Sequence, residues 1–266
     1  MRRSVVLLGA VLALVAFGGG CADEATLDTT GPWDLVWFSD SSGWFVADQW
    51  ANRIEEDLGV EVRVHDHAEG GLSLVEVLDS LDGEDDGSHS RLPDLREEVA
   101  NAEIVVVYGN PVDSGATTDI ETCVSTDTTP RQGPTHYSEA DWDPYREILD
   151  SIFETVVDLR GDQPTVVRAI DLYVPVIADW RDAGILNECT QAWEMWSQVI
   201  QDTASAYGIE TVSMFNTFNG ADHTEDPREK GYIGSDGEHT LPVGQSAMVE
   251  ALHARGYTPS ILRRGG

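Results

Sequence analysis

Asp34-Leu35-Val36-Trp37-Phe38-Ser39-Asp40-Ser41 is the stretch on which the reading of the chain turns. Its apolar run, 35–38, is too short for a helix and stops on three polar residues, the pattern of a buried strand. Residues 44–58 then take up a helical period, with Phe45, Trp50 and Ile54 among the apolar positions and Gly59 closing the segment. A strand that passes through a tight polar turn into a helix opens a βαβ unit.

The alternation repeats outward. Residues 60–65 read as a second strand and 72–81 as a second helix, followed by an acidic Gly/Asp/Ser linker over 82–90. A short helix over 94–102 leads into the strongest strand in the chain, Ile104-Val105-Val106-Val107-Tyr108. After a long Thr/Pro/Asp-rich loop at 111–140, helix is expected over 142–159, strand over 165–172, helix over 187–207, strand over 210–215 and a closing helix over 243–255. Strands alternating with helices of this length predict an α/β fold, with a mainly parallel five-stranded sheet covered on both faces. Ligands in such sheets bind beyond the carboxyl ends of the strands, so the residues there carry the functional argument.

The amino-terminal segment stands apart from the fold. Arg2 and Arg3 precede an apolar run over 5–17, which breaks at Gly18-Gly19-Gly20 and reaches Cys21. This layout predicts a signal peptide over 1–20, a polar tether over 21–32 and a single domain over 33–266. The small residues before Cys21 resemble a bacterial lipobox, with Gly18 where an aliphatic residue is usual, so Cys21 is the expected lipidation site. The protein is then expected to be exported, as a cell-surface lipoprotein or an extracellular protein. Removing Cys21 from the count leaves Cys123 and Cys189, which an oxidising compartment permits to pair. The 266 residues carry 48 acidic against 16 basic side chains, a net charge of −32, and Lys230 is the single lysine. Such a surface repels nucleic acid and anionic lipid, which excludes both as electrostatic partners. Contact with a membrane is expected only through a lipid on Cys21, and a monomer is favoured.

Two segments carry chemistry. Ser41 lies at the strand-to-helix turn, where the free N–H groups and dipole of a helix start favour a developing negative charge; the plainer reading is a helix cap. Near the other end, in Gly234-Ser235-Asp236-Gly237-Glu238-His239-Thr240, a histidine follows an aspartate by three residues. Asp236 can hold Nδ1–H of His239 and leave Nε2 to take a proton from a serine. A solvated loop pair is the commoner outcome of such a spacing.

Taken together these blocks resemble the SGNH (GDSL-like) hydrolases, whose flavodoxin-like three-layer α/β/α fold carries four blocks marking Ser, Gly, Asn and His. Phe38-Ser39-Asp40-Ser41 is similar to the G-D-S block and implies Ser41 as nucleophile. Gly71, in Ala68-Glu69-Gly70-Gly71-Leu72-Ser73, stands at the oxyanion-hole glycine, with Gly70 as the alternative register. Asn110 ends the strongest strand and stands at the oxyanion-hole asparagine, and Asp236 with His239 matches the terminal D-x-x-H. Ser39 replaces the glycine of G-D-S. Tyr108-Gly109-Asn110-Pro111 stands for G-x-N-D, with the nearest acid two residues on at Asp113.

The resemblance implies an ester hydrolase with a Ser41–His239–Asp236 triad and an oxyanion hole of Ser41, Gly71 and Asn110. It implies no metal or organic cofactor, and a small-molecule or carbohydrate ester as substrate. Lipase, carbohydrate-deacetylase and thioesterase specificities stay open, since one fold hosts them all. The alternative is a catalytically inactive, surface-anchored binding protein on the same fold.

The remaining polar motifs have plainer readings. His65-Asp66-His67 places two histidines on one face of a strand, which suits a metal, but no third ligand is evident and polar packing is the simpler account. His136 and His223 read as solvated, and Trp193 with Trp196 as core rather than as a substrate channel.

Overall fold

The structure, a computed structural model, describes residues 27–83, 92–110, Cys123 and 139–263. The predicted signal peptide, Cys21 and most of the tether lie outside the described residues, as do His136 and most of the 111–140 loop.

Five strands form one sheet: β1 (Trp33–Ser39), β2 (Val62–Ala68), β3 (Ile104–Tyr108), β4 (Val166–Asp171) and β5 (Glu210–Ser213). All neighbours are parallel, in the order β2-β1-β3-β4-β5. Among the described residues these helices connect or flank them: α1 (Val46–Leu58), α2 (Leu74–Asp82), α3 (Leu95–Asn101), α4 (Asp143–Arg160), α5 (Ile177–Ala183), α6 (Leu186–Ala206), α7 (Met214–Asn219) and α8 (Pro242–His253). α1 packs on α8 and α8 on α7, while α2, α3 and α6 pack on α4, which gives a helical layer to each face of the sheet. This is the three-layer α/β/α architecture that the alternation predicts.

Burial follows position in the sheet. β3 and β4 are buried along their whole length, as apolar strands covered on both faces must be, whereas edge strand β2 is only half-buried. The expected elements recur with ends moved by a residue or a few, and two helices are additional. α5 lies within the expected 173–188 connection. α7 begins at Met214, so the strand expected over 210–215 stops at Ser213, whose Oγ accepts the Asn216 N–H at 3.1 Å and caps the helix. Beneath that junction the buried Asp171 accepts from Ser197 Oγ (2.5 Å), Ser213 Oγ (2.8 Å) and the Phe215 N–H (3.1 Å). Burial pushes its carboxyl above the usual aspartate range, against the pull of those bonds.

Cys123 and Cys189 are joined in a disulfide, with Cys189 in the first turn of α6. Trp193 and Trp196, further along that helix, are buried, and the Trp193 indole donates to the Leu172 carbonyl at 2.9 Å. Both are core residues.

Candidate active site

The strand order reverses between β1 and β3, and the carboxyl ends of those strands with β2 bring three of the sequence blocks to one edge. Ser39 pairs with Ala68, and Phe38 with Val107, which sets Ser39 level with Tyr108. Ser41, Gly70 and Asn110 each lie two residues beyond this line, on adjacent strands about 4.8 Å apart. Sheet register alone therefore assembles the nucleophile, glycine and asparagine blocks.

Ser41 opens a 3-10 turn, Ser41–Gly43, and is half-buried. Asp40 caps that turn: its Oδ1 accepts the Ser42 N–H at 2.9 Å, and its Oδ2 accepts from Nδ2 of Asn110. Both side chains are buried. The carboxylate on β1 thus orients the amide on β3, a support for Asn110 that does not need an acid at position 111. Ser39, where the family's motif has glycine, ends β1 in extended backbone that any residue adopts. Its Oγ accepts the Trp37 indole N–H at 3.0 Å and donates to the Asp40 carbonyl at 2.9 Å. A Cβ on Gly43 would stand 2.3 Å from that oxygen, so Gly43 makes room for the serine.

Gly71 turns the chain after β2 at φ +73°, in the left-handed region that glycine enters without penalty. Among the described residues, no acceptor takes the backbone N–H of Ser41 or of Gly71. Two backbone N–H donors thus lie at this edge, on the line that also carries Asn110.

Asp236 and His239 sit on a hairpin-like loop closed by the antiparallel bridge Ile233–Thr240 and by the Gly234 N–H bonding the His239 carbonyl at 2.8 Å. Asp236 Oδ1 accepts the N–H groups of Glu238 (3.0 Å) and His239 (3.1 Å), and Oδ2 lies 3.1 Å from His239 Nδ1. The backbone bonds, first that of Glu238, hold the Asp236 carboxyl below the usual range and keep it ionised. His239 Nε2 has no hydrogen-bond partner among the described residues. A carboxylate on Nδ1 with Nε2 unengaged is the arrangement a general base requires.

Three supports of this loop were not anticipated from the sequence. The buried Tyr173 hydroxyl donates to the Glu238 carbonyl at 2.9 Å, while its ring stacks on Phe218 with centroids 4.4 Å apart. Gly244 permits α8 to start against the chain, since a Cβ there would stand 2.4 Å from the Tyr232 carbonyl oxygen. Trp44 stacks on His239, rings 5.1 Å apart and 6° from parallel. Trp44 was expected inside the first helix, but α1 starts at Val46 because Phe45 adopts φ +65°. A Trp beside a Ser-containing turn was the one available sequence signal; periodicity absorbed it into the helix.

His65 and His67 make no metal cluster. Glu98 engages His65 Nδ1 at 2.9 Å and His67 Nε2 at 2.5 Å, and Asp34 takes His65 Nε2 at 2.9 Å. Among the described residues, no group of three or more His, Cys, Asp or Glu side chains is placed to hold a metal ion. His223, expected to be solvated, is instead packed: it stacks on Phe215 and bonds Glu194 (3.0 Å) and Asn216 (2.8 Å).

No protein-family model matches the chain. Over 212 residues it is 24% identical to a spore germination lipase of Bacillus licheniformis, covering 79% of this chain and 85% of that one. Its structure is similar to that of a lipase from a goat rumen metagenome, with TM-score 0.58 and 20% identity over 86% of this chain and 98% of the other. It is similar also to an acetyl xylan esterase from Geobacillus stearothermophilus, with TM-score 0.51 and 12% identity over 88% and 98%. The fold is the three-layer α/β/α architecture of these lipases and esterases, as the alternation of strands and helices predicts.

Proposed function

We propose that the protein is a serine hydrolase that cleaves a carboxylic ester through Ser41, His239 and Asp236. The observation that carries this reading is the Asp236–His239 pair, with Nδ1 held and Nε2 unengaged, joined through Trp44 to the turn that bears Ser41.

In the proposed reaction His239 Nε2 takes the Ser41 hydroxyl proton as Oγ attacks the ester carbonyl, and ionised Asp236 steadies the imidazolium. The oxyanion accepts from the Ser41 and Gly71 N–H groups and from Nδ2 of Asn110, each such donor supplying roughly 3–4 kcal/mol of transition-state stabilisation. Asn110 has two amide hydrogens, so one can serve Asp40 and the other the oxyanion. Collapse expels the alcohol, which leaves with the proton from His239. Water, deprotonated by the same imidazole, then releases the acid from Ser41.

Charge and surface narrow the substrate. A net charge of −32 disfavours anionic esters. Exposed Phe45, Leu241 and Val243 follow Ser41 and His239 by four residues or fewer, which favours an uncharged ester with an apolar group. The relatives include a lipase and an acetyl xylan esterase, and chain length stays open between them. On Arg2, Arg3, the apolar run and Cys21 we place the enzyme outside the cytoplasm, tethered by a lipid on Cys21.

The test is labelling of the purified protein with a fluorophosphonate. Wild type should label and lose turnover of p-nitrophenyl butyrate in parallel, and Ser41→Ala should do neither. An unlabelled wild type would leave the inactive binding protein as the better reading. Intact mass of the exported protein tests the anchor: acyl mass on wild type and none on Cys21→Ser is the expected pair.

A further inference from the structure

We infer that Trp44 is a positioning residue for His239: its indole fixes the plane of the imidazole and steadies the positive charge that the ring gains during turnover. This rests on the hydrolase reading above.

The need for such a residue is visible in the loop. The side chains of His239 and Asp236 are 33% and 52% exposed, so packing alone does not immobilise them. The 3.1 Å contact with Asp236 fixes one edge of the ring but leaves it able to swing about that edge. A near-parallel indole face on the ring removes that freedom. An imidazolium over an indole is also held by the ring quadrupole, whereas neutral imidazole is held less. The interaction therefore strengthens as the proton arrives, which raises the rate rather than uniform binding.

The backbone around Trp44 is built to this end. Phe45 holds φ +65°, a left-handed conformation that is strained for a bulky residue, and no side chain caps α1 there. That turn keeps Trp44 out of the helix that would otherwise include it. The indole also borders Gly70: a Cβ there would stand 3.4 Å from Trp44 Cζ2 and 4.0 Å from Ser41 Cβ. Trp44 thus touches both the His239 ring and the Gly70 segment that borders Ser41. A polar network that includes the buried Gln245 supports the same junction. Gln49 Nε2 donates to the Phe45 carbonyl and to Gln245 Oε1, both at 2.9 Å, and Gln245 Nε2 donates to the Thr240 carbonyl at 3.2 Å.

The experiment compares Trp44→Phe, which keeps an aromatic face, with Trp44→Leu, which keeps apolar bulk without one. With p-nitrophenyl butyrate, Trp44→Leu should lower kcat about 5- to 10-fold at nearly constant KM, and Trp44→Phe should recover most of the loss. Proton NMR of the wild type, with His239 assigned by difference from His239→Gln, should show its ring protons displaced upfield by the indole. The displacement should persist in Trp44→Phe and vanish in Trp44→Leu. An active wild type without that displacement overturns the role of Trp44, whether or not the Trp44 variants fold. Equal kcat in wild type and Trp44→Leu overturns it too, as does an equal loss in both variants with matching falls in Tm. A wild type that neither labels at Ser41 nor turns over ester overturns the hydrolase reading itself.

Discussion

Two of the histidine–carboxylate groups, one on a loop beyond the strand ends and one on the edge strand, differ in one respect that decides what each can do. His239, beyond the carboxyl ends of the strands, gives Nδ1 to Asp236 and keeps Nε2 unengaged among the described residues. His65, on edge strand β2, gives Nδ1 to Glu98 and Nε2 to Asp34, so both nitrogens face carboxylates. A ring between two acceptors must carry both protons to satisfy them, and a ring that holds both has no lone pair to offer. His65 ties β2 to β1 and α3, whereas His239 is equipped for proton transfer. In sequence the two are alike, a histidine within three residues of an aspartate. What separates a brace from a base is a pair of carboxylates distant in sequence, Asp34 and Glu98, on the two nitrogens of His65.

Paired substitutions break or sharpen this contrast, and the largest effect is expected at His239, the proposed base. His239→Gln should lower kcat/KM for a short-chain ester by about 10⁴-fold or more, since a triad loses nearly all its advantage when the base is removed. His65→Gln should leave kcat/KM within about 2-fold, as expected of a group away from the chemistry. Comparable losses in both would show that the edge cluster takes part in turnover, and the distinction drawn here would fail.

Next in size is Asn110, the proposed oxyanion amide. Asn110→Ala should cost about 10²- to 10³-fold in kcat with little change in KM, the usual effect of removing one such donor. Asp40→Asn tests what holds that amide. It keeps a neutral oxygen for the Ser42 N–H but weakens the charge-assisted bond from Asn110, so its kcat should fall less than that of Asn110→Ala. An Asp40→Asn loss greater than that of Asn110→Ala would mean that Asp40 serves chiefly to shape the Ser41 turn.

How much of this was legible beforehand follows from how local each signal is. The strands could be read because apolar runs such as 104–108 are bounded by polar turns, and parallel order follows from their alternation with helices. Ser41, Gly71, Asn110, Asp236 and His239 were each nameable because their motifs are short and lie at strand ends or in loops. The supports were not. Asp40 and Asn110 are seventy positions apart, Tyr173 and Glu238 sixty-five, and no spacing rule joins them. The start of α1 differs from the expectation because helical period cannot register a left-handed φ at Phe45, a conformation for which a bulky residue has no preference. Glycine at 43 and 244 could be seen but not interpreted, since the atoms that forbid a Cβ there belong to Ser39 and Tyr232.

The smallest expected effect tests the brace on its own terms. Partial burial alone would lower the His65 pKa, but the hydrogen bond to Asp34 and the attraction of Glu98 outweigh it and raise the value above that of free histidine. The groups that face it are Asp34, itself paired with Arg63 at 2.6 Å, and Glu98, with Asp94 and Glu97 lining the same cavity of about 350 Å³. A basic group whose pKa is raised by folding contributes stability that is complete below its unfolded value, about 6.5, and is lost as pH rises through the folded value. Wild type should therefore melt about 2–4 °C above His65→Gln near pH 6, if the cluster contributes about 1 kcal/mol. That gap should narrow steadily as the pH is taken toward 9. A gap that widens with pH would mean that the folded chain prefers neutral His65, and the ring would then have a lone pair after all. The same melting series on His239→Gln supplies the contrast: one exposed contact to Asp236 should give a smaller gap at every pH, because that ring is held for its chemistry and not for the fold.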